Sequence, residues 1–240
     1  MNEQLLNCGS TFKLPKYKFF TNLVDELLFS MKQFGTNINS FLPEIKKALI
    51  SDMRFEMKIR REFQGAIFQM FFVQIFGIIF ITSMHIQLSR DFILEEYLPS
   101  LILQVIGYSL FIIIFSIIKV KTFKDLDSYI SSLYQIRILT CANIPLKDIH
   151  NRVGLNELKE DKLLSPIKKR IFQIMSQIKN TGHLSQDDIE TTIEEIWFIN
   201  EFKFEQFLRH LSALKLLVIV IFFLSSFMLI LLQVLESLAV

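Results

Sequence analysis

Three stretches of this chain, 63–89, 97–118 and 216–235, contain no Asp, Glu, Lys or Arg at all, although charged residues crowd the segments between them. Their lengths are 27, 22 and 20 residues. A helix rises 1.5 Å per residue, so about 20 residues match a hydrocarbon core roughly 30 Å thick. A long helix buried in a soluble protein would still show water one charged face, and none of these can. An Asp, Lys or Arg at the bilayer centre costs on the order of 2.5–3.5 kcal/mol, which explains why all four charged types are cleared from these windows. The chain therefore reads as an integral membrane protein with three spans. The few polar side chains within them, among them Gln69, Gln74 and Gln104, are expected to face other helices.

Orientation follows from the basic residues. Ten Lys and Arg lie before the first span, from Lys13 to Arg61, and fourteen lie between the second and third, from Lys119 to Arg209. The short loop after the first span has only Arg90, against Asp91, Glu95 and Glu96, and nothing basic follows the third span. Basic segments stay on the cytoplasmic side, so the N-terminus is expected inside and the C-terminus outside. The expected order is a cytoplasmic helical domain at 1–62, a span at 63–89, an external loop at 90–96 and a span at 97–118. A cytoplasmic helical domain at 119–213, a span at 214–235 and an external tail at 236–240 complete it. No secretory signal is read at the N-terminus, so the first span would serve as an internal signal.

Helical periodicity fills the polar segments. Leu23, Leu27, Leu28, Met31 and Phe34 repeat at three-four spacing, and Leu42, Ile45, Leu49 and Met53 resume it and lead into the first span through 54–65. Tyr129, Leu133, Ile136 and Leu139 share a face before a break at 141–145, and Pro145 suits the first turn of a further helix. Helices are also expected over 167–179 and 185–210. No sustained alternation argues for strands, so the fold class is an all-α integral membrane protein. Offsetting the two polar segments by 147 positions lays Gly35 on Gly182, Leu42 on Ile189, Leu49 on Ile196 and Ala66 on Ala213. The cytoplasmic domains are accordingly expected to form a degenerate repeat, the first copy truncated.

Composition excludes several functions. A net charge of +2 with interspersed signs offers no polyanion stripe, so nucleic acid is not an expected partner. Cys8 and Cys141 fall on the reducing side, with no disulfide or metal motif between them. His85, His150, His183 and His210 make no ligand pair, and no phosphate-binding loop is present. Catalytic, cofactor and metal sites are expected to be absent, and the chain is not expected to be an enzyme. Arg60 and Arg61 are candidate lipid or partner contacts just before the first span, and Lys168, Lys169 and Arg170 form a second basic cluster. The acids Asp187, Asp188, Glu190, Glu194 and Glu195 read as a solvated helix start whose charge complements the dipole. Gly77, Gly107, Ser225 and Ser226 are candidate positions of close helix approach.

The stretch 129–149, YISSLYQIRILTCANIPLKDI, resembles the helix, small-residue turn and helix of the type II secretion system F family, with the turn at Ala142. Asn180-Thr181-Gly182-His183-Leu184 is similar to that family's second turn, and the helix beyond it leads to a span. The first-repeat turn would fall at Gly35. Ala142 stands where the family usually has glycine, and the acid often found before the second glycine is missing. The short domains are most similar to those of tight-adherence (Tad) pilus platforms. The resemblance implies a non-enzymatic inner-membrane platform protein of a bacterial secretion or pilus machine. Its implied partners are a hexameric secretion ATPase, pilin subunits, a second copy or a paralogous platform protein, and membrane lipid. A transporter or channel subunit, or a structural accessory subunit of another membrane complex, remains the alternative from the residues themselves.

Overall fold

The computed structural model describes residues 16–34, 42–87, 94–141, 161–181 and 185–238, together with positions 144, 149, 153 and 158. The expected turns at Gly35, Ala142 and Gly182, and the expected helix start at Pro145, lie outside the described residues. Among the described residues there is no strand. The helices are α1 (Phe20–Phe34), α2 (Leu42–Gln87), α3 (Leu94–Cys141), α4 (Ser165–Thr181), α5 (Gln186–Val218) and α6 (Ser225–Leu238). A π-helical turn, Ile219–Leu224, joins α5 to α6. Three helices are long and apolar enough to cross a membrane.

Local chemistry accounts for the boundaries. Pro166 is the second residue of α4, where its missing N–H has no helical partner to lose. Just upstream, Leu163 N–H donates to Asp161 Oδ1 at 3.1 Å and Ser165 N–H to the Asp161 carbonyl at 2.8 Å, a turn that starts the helix. Before α5, Ser185 Oγ accepts from the Asp188 N–H at 3.4 Å, and Asp187 and Asp188 place negative charge on the first turn.

The chain divides into two compact units. The first combines 1–51 with 124–200. Its middle is the C-terminal half of α3, where ten of the fourteen positions from Leu126 to Leu139 are buried, so this segment is enclosed on nearly every side. Tyr129, Leu133, Ile136 and Leu139, which share a face by periodicity, are all fully buried. Leu23 and Leu27 of α1, Ile45 and Ala48 of α2, Ile167, Ile171 and Ile174 of α4, and Ile189, Ile193 and Ile196 of α5 are among the side chains buried with them.

The second unit combines 52–123 with 201–240 and contains the three apolar runs. Its core is Ile59, Ala66, Met70, Phe111, Phe204, Phe207, Leu211, Val218 and Phe223. Phenylalanines link the helices: Phe63 stacks on Phe111 at 5.8 Å between centroids, Phe115 meets Phe207 edge-on at 5.8 Å, and Phe123 meets Phe207 at 5.5 Å. A smaller cluster of Ile81, Ile230 and Val234 lies further along the spans. Only 22% of the most apolar part of each span is buried, and more than twenty large apolar side chains in these runs are exposed, Phe68, Phe72, Phe76 and Ile79 among them. Each would cost about 1.5–3 kcal/mol in water, so this surface calls for hydrocarbon around it. The chain is a multi-pass membrane protein.

Candidate functional site

The buried stripe of the third span is spaced unevenly. It runs through Leu211, Val218, Phe223, Ser226, Ile230 and Val234, so the step from Val218 to Phe223 is five positions where an α-helix repeats every three or four. The π turn absorbs the extra residue and keeps both halves of the stripe facing inward. It also sets the contacts on either side. Phe223 meets Tyr108 edge-on at 5.1 Å, and Phe222 Cβ lies 2.7 Å from where a Cβ on Gly107 would stand. The ring of Phe227 fills the space over Gly77. Glycine at 77 and 107 therefore gives room to aromatic side chains of the third span.

Just beyond the turn is a buried polar group within the membrane unit. Ser226 and Ser100 share a short hydrogen bond, Ser226 Oγ also reaches the Ser100 carbonyl at 3.2 Å, and Gln104 Nε2 donates to Ser226 Oγ at 2.9 Å. Nearby, Tyr108 Oη donates to Gln74 Oε1 at 3.4 Å. In hydrocarbon an unmade hydrogen bond costs several kcal/mol, so these pairings hold α3 against α6 and α2 in one register. Of the two adjacent serines, Ser226 is buried and Ser225 exposed.

The first unit carries a different polar centre. Arg137, on the enclosed half of α3, pairs with Glu44 of α2 and, through Nη2 at 2.8 Å, with Glu190 of α5. One guanidinium thus joins three helices, its planar fork suited to two carboxylates. Burial pushes the Glu44 carboxyl above its usual value, with Arg137 pulling the other way. One turn from Arg137, Tyr134 is buried and accepts from Trp197 Nε1 at 3.3 Å, and burial pushes its pKa up to about 12. Burial also raises the Cys141 thiol, which keeps it protonated and a poor nucleophile. An open cavity of about 490 Å³ in the same unit is lined by Lys18, Lys124, Asp125, Asp127, Ser131 and Gln135, a set whose charges balance.

The candidates read from sequence are scattered. Arg60 and Arg61 are exposed on α2, three and two residues before the first apolar run. Lys168 Nζ donates to the Leu158 carbonyl at 3.0 Å, Arg170 forms an ion pair with Glu195, and Lys169 is exposed, so the basic cluster is partly engaged within its own unit. Glu190 and Glu195, read as a solvated acidic face, each hold an arginine. No group of three or more His, Cys, Asp or Glu side chains converges among the described residues. The arrangement positions helices against one another within each unit. Comparison with known protein families, curated proteins and solved structures finds no match.

Proposed function

We propose that this chain is an inner-membrane platform protein of a type II secretion or Tad-like pilus machine, coupling a cytoplasmic hexameric secretion ATPase to pilin movement in the bilayer. The observation that carries the reading is helix continuity. Each apolar run belongs to a helix that extends well into a polar stretch: α2 from Leu42 to Gln87, α3 from Leu94 to Cys141, and α5 through the π turn and α6 from Gln186 to Leu238. A helix that runs unbroken from a polar segment into an apolar run offers a path for displacement along its axis, as a platform between motor and pilin requires.

Two features support the family reading. The order of a polar segment, two spans, a polar segment and one span is the family's own, and Arg137 gathers the polar starts of α2 and α5. Glu44 and Glu190 stand near the starts of two helices that each lead to a span, one position out of step under the 147-residue offset. The polar segments lie in the cytoplasm in this reading, where the basic residues put them, and the C-terminus lies outside. Membrane lipid contacts Arg60 and Arg61, and Lys169 remains available to the ATPase.

Affinity purification of the tagged chain from gently solubilised membranes, with mass spectrometry of what accompanies it, tests the reading. A secretion ATPase and pilin subunits are expected. Permease or respiratory subunits recovered without them would overturn it.

A further inference from the structure

Within the second unit, α2 just before the first span and α5 before the third lie side by side. Phe55 packs on Phe204 at 4.9 Å between ring centroids, and Lys58 Nζ lies 5.8 Å from the Phe204 ring centre. Both helices then enter apolar runs in the same sense, and the Phe55–Phe204 contact sets these segments level with each other. The ridges they expose there carry opposite charge, and one turn nearer the spans Glu62 on α2 and Arg209 on α5 reverse the sign on both. On α2, Arg54, Met57 and Lys58 are exposed; on α5, Glu201, Phe202 and Glu205 are exposed. The charges in each set are four positions apart, hence on one ridge of their helix, with a large apolar side chain beside them. Met57 is 59% exposed and Phe202 41%. None of the four charges has an ion-pair partner among the described residues.

We infer that these faces bind each other between two copies of the chain, Arg54 and Lys58 of one against Glu201 and Glu205 of the next, with Met57 and Phe202 packed between them. The membrane supplies the register. Two copies in one bilayer share height and sense, so rotation about the membrane normal brings the basic face of one level with the acidic face of the other. Like faces repel, which disfavours α2 against α2 and α5 against α5. Lys58 is five residues before the first apolar run, about 7.5 Å along the helix, where nearby lipid lowers the dielectric and strengthens an ion pair. Arg60 and Arg61, closer still to lipid, remain outside this contact.

The inference deepens the platform reading, in which self-assembly is one part, and rests on it for its setting. Its test reads only chain–chain association and so can fail while ATPase binding stands, or hold while ATPase binding fails. Two differently tagged full-length chains are co-expressed, and capture of one by the other is measured after gentle solubilisation. Wild-type chains are expected to capture each other, less so as ionic strength rises. R54E/K58E expressed in both tagged forms should lose at least nine-tenths of the capture, and so should E201K/E205K. Expressing R54E/K58E with E201K/E205K sets the native basic face of one chain against the native acidic face of the other, and the two reversed faces against each other, so capture should recover, which also shows that each variant folds. Absence of wild-type capture, wild-type capture by either variant with itself, or failure of the mixed pair to recover would each overturn the inference. The last result is the one expected if the basic face binds anionic lipid instead.

Discussion

Arg137 joins three helices of the first unit. It is nearly buried and holds two carboxylates from different helices, so Arg137→Met leaves both without their cation. Removing one partner of a fully buried pair costs about 3–5 kcal/mol; with Glu44 and Glu190 partly exposed, about 1–2 kcal/mol is expected, read as a lower unfolding midpoint in detergent. An unchanged midpoint would mean that the pairing carries no stability. Glu44 adds a pH dependence of known sign. Its carboxyl is raised above 4.5 by burial, so the folded state keeps this proton longer than the unfolded chain. The stability that linkage supplies is full below about pH 4.5 and is lost as pH rises through the folded value. Glu44→Gln should therefore match the wild type at pH 4 and gain on it at pH 7; the opposite trend would contradict the assignment. None of this was legible in the sequence, because Glu44 and Glu190 are 93 and 53 positions from Arg137 and no local pattern links them.

At the scale of elements, the π turn and the two glycines set how the third span sits in its bundle. At Gly107 an added methyl would crowd the Cβ of Phe222, which is fixed to the backbone, whereas at Gly77 it would meet the far end of the Phe227 ring, which can turn aside. Gly107→Ala should cost the more of the two, within the 1–3 kcal/mol typical of overpacking, roughly. Denaturation of both variants by increasing SDS checks this, and a greater loss for Gly77→Ala would contradict it. The elements were largely legible. Periodicity placed α1, and the stretch 44–64, which has no Pro or Gly, carried α2 from polar segment to span. The expected helix over 185–210 continues to Val218, because nothing in 211–218 stops it. Gly77, Gly107 and Ser226 were recognisable as small residues in apolar runs. Their partners were not, since Ser226 meets Ser100 and Gln104 from 126 and 122 positions away. The π turn left no mark either: IVIFFL is as apolar as its surroundings and contains no breaker.

At the scale of the whole molecule, three long helices contain apolar runs able to cross a membrane. Apolar length and cleared charge made the three spans readable before any coordinates, and their exposed phenylalanine and isoleucine surface agrees with that reading. The grouping of 1–51 with 124–200 was not readable, because it depends on contacts made across two intervening spans. Everything proposed here, from motor coupling to the pairing of α2 and α5 faces, requires the polar parts of α2, α4 and α5 to share one side of the bilayer. Single cysteines placed in a Cys8→Ser, Cys141→Ser background at Lys47, Lys169 and Val240, then labelled with a membrane-impermeant maleimide, measure this directly. Labelling of the Val240 position in intact cells, with positions 47 and 169 reacting only after permeabilisation, is the predicted result. Reaction of position 47 or 169 in intact cells would contradict it.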